Sequence, residues 1–322
     1  MRSTKLFFLI LLLLISVDVS AGCGYSLSEP QAYEICFTYE IKNSGGPARE
    51  LRIAIPVMDE EELPPYQKIH SFNTRPNTLK AKVTGGSAAY FIPILKAREA
   101  IAVELDYFVT LYAIKHQLYA YSGGSSSENA GYLAAEPEIE SDDPQLIKLA
   151  SQLTSTARYP LDKAVKIFDY VNEHLHYEAQ PDQSSRGALE TLRRGGGNCV
   201  DFSLLYIALC RAVGIPARFV AGYRFSPSEI GAGQTDLIPL GHAWAEINLP
   251  ALGWITVEPT YIYTLNREKQ VNHEFFGGIQ PEDRHLFLNY SRNSACRTQW
   301  KYNPRDPAKI EVKPTAYIRR LR

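Results

Sequence analysis

Runs of like charge are missing from this sequence. No block of five acidic or five basic residues occurs, and 34 Lys plus Arg against 35 Asp plus Glu leave a formal net charge of −1. A nucleic-acid binder carries a basic stripe, so no nucleic acid is expected as a partner. Cysteine is sparse, five in 322 residues, which excludes a disulfide scaffold. No Cys-x-x-Cys pair is present, so neither a zinc knuckle nor a thioredoxin-like motif is indicated. HExxH, a phosphate loop and an acidic loop with calcium-ligand spacing are absent as well, so no metal or other cofactor is expected. The one long apolar run, Leu6 to Ile15, is about half the 20 residues of a membrane span, and no span is expected. What remains, 45% hydrophobic and 21% charged, is ordinary globular composition, with a length that suits about two domains.

The apolar run follows Arg2 and Lys5, and Val19-Ser20-Ala21 supplies a small-residue cleavage site. This layout predicts a secretory signal peptide over 1–21 and an exported chain, periplasmic, cell-envelope or secreted. Ala21-Gly22-Cys23 also reads as the end of a lipobox, so lipid attachment at Cys23 is the competing outcome. Export permits disulfides, and the odd count of Cys23, Cys36, Cys199, Cys210 and Cys296 leaves at least one thiol out of any pairing within the chain.

The remaining chain divides into unlike parts. Alternation of Tyr33, Ile35, Phe37, Tyr39 and Ile41 with polar residues predicts a half-buried strand. Leu51 to Val57 and Ile101 to Leu111 repeat the pattern, and Asn43-Ser44-Gly45-Gly46-Pro47 marks a turn. These signals predict a β-sandwich over 22–121, a packing or substrate-presenting module. A Ser/Gly-rich and then acidic linker (122–142) follows, and 143–305 reads as a second domain with a basic tail at 306–322. Asp143-Pro144 predicts a helix start. Leu161, Ala164, Phe168, Val171 and Leu175 share one helix face, and Ala188 to Arg193 predicts a short helix ended by Gly195-Gly196-Gly197.

Cys199 opens the next apolar helix, which Gly214 and Pro216 terminate. A helix N-terminus carries about half a positive charge, and that field favours the reactive thiolate form. The glycines beside it allow a substrate backbone to approach. Cys210 lies about 16 Å along the same helix and cannot pair with Cys199, so it reads as core. His242 begins a strand, and the turn Pro250-Ala251-Leu252-Gly253 returns the chain to Glu258. If the hairpin is centred on 250, His242 and Glu258 are cross-strand neighbours on one face. The other six histidines have no comparable setting. Cysteine, histidine and acid in that order can make a nucleophile, a base and an orienting group.

Gly197-Asn198-Cys199-Val200-Asp201-Phe202, Arg211-Ala212-Val213-Gly214-Ile215-Pro216-Ala217-Arg218, Gly222-Tyr223, His242-Ala243-Trp244-Ala245-Glu246, Gly253-Trp254 and Glu258-Pro259-Thr260 together resemble the core of the transglutaminase-like superfamily, over about 143–262. The resemblance implies an α+β fold, a papain-like core preceded by the N-terminal β-sandwich, and a triad carried here by Cys199, His242 and Glu258. Glu258 stands where the family usually has Asp. The implied chemistry is acyl transfer through a Cys199 thioester on a protein or peptide substrate. The Cys199 backbone N–H and Tyr177 are candidate oxyanion donors. Water as acceptor gives a protease or amidase, the default because water is abundant, and an amine gives cross-linking. Two other readings stand beside this one: a non-catalytic peptide- or glycan-binding module, and a zinc site made by Cys199, His242 and Glu258.

Overall fold

The computed structural model describes residues 24–76, 81–84, 86–120, 129–179, 185–260, 263–265, 268–290 and 298–321. The expected signal peptide, Cys23, Cys296 and most of the Ser/Gly stretch lie outside the described residues. In chain order the elements are β1 Tyr25–Asn43, β2 Ala48–Pro56, β3 Gln67–Arg75, β4 Ala81–Thr84, β5 Ser87–Leu95 and β6 Ala100–His116. Next come α1 Pro144–Leu153, α2 Pro160–His174, β7 His176–Tyr177, α3 Ala188–Arg194, β8 Gly196–Gly197 and α4 Cys199–Ala212. The rest are strands: β9 Ala217–Phe225, β10 Thr235–Asp236, β11 Gly241–Leu249, β12 Gly253–Val257, β13 Tyr263–Leu265, β14 Glu268–Gln270, β15 Gly278–Ile279, β16 Arg284–Asn289, β17 Gln299–Lys301 and β18 Ile310–Arg320. The architecture is mixed helix and strand.

Alternation explains the first unit. Tyr33, Ile35, Phe37, Tyr39 and Ile41 of β1 and Val103, Leu105, Tyr107, Val109 and Leu111 of β6 are buried, because a period of two sends one face of each strand inward. They share an apolar cluster with Leu51, Ile53 and Ile55 of β2 and Tyr90 and Ile92 of β5. One sheet runs β10-β18-β1-β6-β15 with β3 also on β6, and a second runs β17-β2-β5-β4.

The segment expected to be a basic tail is instead β18. It pairs antiparallel with β1 from Asn43↔Ile310 to Tyr33↔Arg320. Ile310, Ala316 and Ile318 point inward and are buried, while Lys313, Arg319 and Arg320 are exposed and give the segment its basic composition. β10 covers only Tyr317 and Ile318 on the far side, so Pro314, which has no N–H to give, sits beyond that pairing. β17 joins β2 and β15 joins β6. The two units are therefore interleaved in sequence, and the boundaries at 143–305 and 306–322 do not describe them.

The second unit packs its helices on the four-stranded antiparallel sheet β12-β11-β9-β16. Asp143 caps α1 by accepting the Gln145 N–H at 2.7 Å, as the Asp-Pro signal predicts. Ala164, Phe168 and Val171 of α2 are buried. Every residue of α4 from Asp201 to Arg211 is buried, against Ala217, Phe219, Ala243, Ala245, Ile247 and Val257 on one face of the sheet.

The opposite face of that sheet meets the first unit. Val220, Trp244 and Phe287 cluster with Tyr66, Ile114 and Ile279. Gln67 acts there as a backbone mimic: its amide donates to the Phe287 carbonyl at 3.1 Å and accepts the Phe287 N–H at 2.8 Å. Nearby, the Arg218 guanidinium bonds Glu246 at 2.6 Å and lies against the rings of Tyr290 and Trp254, 3.4 and 4.0 Å from their centres. Among the described residues no helix is long and apolar enough to cross a membrane.

Candidate active site

Asn198 starts α4 with a capping box. Its side chain accepts the N–H groups of Val200 and Asp201 at 2.9 and 3.2 Å, and the Asp201 carboxylate accepts the Asn198 N–H at 3.1 Å. The other Asp201 oxygen accepts the Arg186 N–H at 2.8 Å. This arrangement fixes the backbone on both sides of Cys199, which is buried at the first helical position where the dipole concentrates positive charge.

The glycines upstream pack closely against the chain itself. Gly195 ends α3 at φ +71°. Gly196 and Gly197 form β8, parallel to β7, with Tyr177 opposite Gly197. A Cβ on Gly196 would meet the His176 ring and backbone, and one on Gly197 would lie 2.4 Å from the Asp201 carboxylate. These close approaches are to the chain's own residues. The β7–β8 pairing also sets Tyr177 beside the loop that leads into Cys199. Tyr177 is 52% exposed, and its phenol is pushed up by burial of the ring and then by the charges of Cys199 and Glu258.

The hairpin β11–β12 supplies the other partners. It is centred on 251, with Ala245↔Val257 and Leu249↔Gly253 in register, and not on 250 as expected. The loop is Pro250–Leu252, with Ala251 at φ +65°. The change displaces the pairing by two positions, which preserves the face. Glu258, just past the end of β12, therefore stays on the His242 side, diagonal to it. His242 Nε2 and Glu258 Oε2 are 2.5 Å apart. Cys199, at the start of α4, is near enough to the same imidazole to help raise its pKa. The His242 side chain is 12% exposed and that of Glu258 is 1% exposed.

Burial works against charge on both groups. For His242 it is outweighed by the Glu258 charge and by hydrogen bonds with Cys199 and Glu258, which raise its pKa to about 10. For Glu258 it is outweighed by the His242 charge and by hydrogen bonds from His242 and His285, which hold the carboxyl well below the usual range. The Thr260 N–H adds a bond to Oε1 at 3.0 Å, and the Glu258 N–H is anchored on the Phe275 carbonyl at 3.0 Å.

His285, set aside in the sequence as having no special setting, belongs to this cluster: its Nε2 lies 3.2 Å from Glu258 Oε2. Gly222 brings it there. Gly222 pairs with His242 on one side and Phe287 on the other, and a Cβ on it would fall 2.0 Å from the Leu286 carbonyl. Only a bare backbone lets β16 close on β9. Nothing local in Arg284-His285-Leu286 signals this, because the partner is on another strand.

Donor atoms of His242, Glu258 and His285 lie within 4.8 Å of one another, close enough for a metal ion, but both Nε2 atoms already engage the same carboxylate oxygen. Among the described residues that group does not include Cys199, so Cys199, His242 and Glu258 are not brought together as a zinc site would require. Cys210 is fully buried, its thiol pushed by burial up to about 12, as suits a core residue. Cys36, Cys199 and Cys210 are free thiols.

Residues 147–259 match the family described as the transglutaminase-like superfamily. The chain is 31% identical over 130 residues to the uncharacterized protein YebA of Bacillus subtilis, a match that covers 36% of this chain and only 17% of that one. It is 24% identical over 322 residues to an uncharacterized protein of Haemophilus influenzae, covering 87% of this chain and 85% of the other. A solved structure from Cytophaga hutchinsonii, provisionally designated a cysteine protease, is similar over 92% of this chain and 93% of its own, with a TM-score of 0.63 and 18% identity. That similarity is one of fold.

Proposed function

Residues 147–259 belong to the transglutaminase-like superfamily, and on that premise we propose that Cys199, His242 and Glu258 form a triad that hydrolyses amide bonds of a protein or peptide through a Cys199 thioester. The observation that carries this reading is His242 Nε2 lying 2.5 Å from the buried carboxylate of Glu258, with Cys199 at the start of α4 helping to raise the pKa of the same imidazole. Sγ of Cys199 attacks the carbonyl carbon, and the C–N bond breaks as His242 hands its proton to the leaving nitrogen. Water then adds to the thioester and gives a proton to His242, and the C–S bond breaks to release the acid. The Cys199 N–H donates to the oxyanion, with the Tyr177 hydroxyl as second donor. An amine in place of water would give cross-linking. The reading as a non-catalytic module drew on the extra methylene of Glu258, and the 2.5 Å contact with His242 supports the catalytic reading over it.

We further propose that the chain is exported and cut after Ala21. N-terminal sequencing of exported protein should begin at Gly22. An intact Met1 refutes cleavage, and an acylated Cys23 supports the lipoprotein outcome.

The activity test combines labelling with turnover. A thiol-directed electrophile should label Cys199 ahead of Cys210, and Cys199→Ala should abolish release of new carboxyl and amino termini from a denatured protein substrate. Turnover that appears only with a primary amine present would replace hydrolysis by cross-linking. Absence of both labelling and turnover would leave the binding module.

A further inference from the structure

Glu258 has one more rotatable bond than the family's usual aspartate, and that freedom has to be removed if its carboxylate is to hold His242 in one pose. Oε1 is fixed by the Thr260 N–H, and Oε2 meets His285 as well as His242. We infer that His285 is a positioning residue for the reaction: a neutral imidazole protonated on Nε2 that clamps Glu258 Oε2 so the carboxylate faces His242. The inference rests on the catalytic reading above and adds a fourth member that touches neither thiol nor substrate.

The tautomer follows from donor and acceptor counting. An ionised carboxylate only accepts, so the His285 nitrogen facing it must carry the proton. His285 Nδ1 is buried without a hydrogen-bond partner. A cation would place a second N–H there with nothing to receive it, in a side chain 1% exposed, which is costly. The ring is therefore neutral, with its lone pair on Nδ1. The charged and titratable groups around it agree. Burial lowers its pKa, as do His242 on β11 and Arg224 on β9, and together they outweigh the opposing pull of Glu258. Arg224 is itself tied to Asp283 at 2.8 Å. Trp244 packs its ring 4.8 Å from that of His285, which fixes the imidazole plane. His285 thus supplies a hydrogen bond without adding a charge that would compete with His242 for the carboxylate.

The test uses the full chain and two variants. His285→Phe keeps a flat ring and removes the donor. His285→Gln keeps an N–H near the Nε2 position. In the wild-type protein, 15N spectra of the imidazoles should show His285 with one protonated nitrogen, Nε2, from about pH 5 to 8. A doubly protonated ring at neutral pH, or the Nδ1–H tautomer, overturns the proposal. In His285→Phe, kcat should fall about tenfold or more with KM changed less than about twofold, and His285→Gln should recover most of the loss. The His242 imidazolium should also release its proton at lower pH in His285→Phe, because a carboxylate that has swung away no longer holds it. A folded His285→Phe with wild-type kcat and wild-type His242 titration refutes the role. The spectra need no turnover, so the two failures are distinguishable: a protein without activity whose His285 carries its proton on Nε2 sinks the catalytic reading and with it the role in the reaction, whereas an active protein with the wrong tautomer sinks this inference alone. If His285→Phe fails to fold, the wild-type tautomer and the His285→Gln variant decide.

Discussion

Burial works to strip His242 of its proton, yet the Glu258 charge and the bonds with Cys199 and Glu258 hold that proton to about pH 10. An unfolded histidine releases it near pH 6.5. Between those values the folded chain holds the extra proton, so the stability from His242 is complete below about pH 6.5 and is lost as pH rises through about 10. Glu258 has the opposite sign: its contribution is present above about pH 4.3 and is lost as pH falls toward its depressed value. Glu258→Gln removes the charge that raises His242. Thermal melts of that variant should therefore decline less steeply than wild type from about pH 7 to 10. Its turnover should drop at least about tenfold, or 1.4 kcal/mol in barrier, while Glu258→Asp should keep partial activity. Unchanged turnover in Glu258→Gln would mean another group orients the imidazole. Cys199, His242 and Glu258 could be singled out in the sequence because each sits in a short motif at a helix start or hairpin that can be read locally. His285 was not, because its contact with Glu258 crosses between strands 27 positions apart.

Two backbone features decide whether these side chains meet. One is the hairpin, whose loop was misjudged because the period-two pattern fixes the face of each residue but says little about how many residues turn the corner. Parity survived the error, and so did the His242–Glu258 contact. The other is Gly222, which the sequence presents as one glycine among 21. With the Leu286 carbonyl 2.0 Å and the Trp244 ring 2.8 Å from where a Cβ would stand, Gly222→Ala must push β16 away from β9. We expect a loss of more than about 2 kcal/mol in urea denaturation, together with lower turnover because His285 moves with β16. A variant with an unchanged urea midpoint would mean the two strands are not this close. The α4 start is set by a capping box, Asn198 with Asp201 three residues on, a local spacing that went unread in the sequence although it needs no distant partner.

At the scale of the molecule, the helical core and the alternating strands of the first unit could be read from periodicity, but the pairing of distant segments could not. β18 looked like a tail because its outward residues are basic and it contains a proline, and β17 gave no signal that it would join β2. The interleaving matters for the site, since Gln67 at the start of β3 holds the backbone of Phe287, two residues from His285. Gln67→Leu keeps the bulk and leaves both Phe287 groups without that partner, at a cost of about 1–3 kcal/mol per buried unsatisfied group. It should lower the thermal midpoint and, through β16, kcat. A destabilised variant with wild-type kcat would show that the first unit supports the fold without tuning the site.

The antiparallel pairing of β1 with β18 also sets a timetable. β1, 19 residues long, is made early, and the strand that covers one of its edges exists only once residue 320 has emerged. Until then a long row of backbone donors and acceptors waits without its partner, the kind of edge that recruits foreign strands. A ribosome that stops before residue 310 releases a chain that already contains Cys199, His242 and Glu258 but cannot add β18 to the edge of β1. Such a fragment should be aggregation-prone: a truncation before residue 310 should collect in the insoluble fraction, and a soluble, monomeric fragment would mean that this edge of β1 needs no cover.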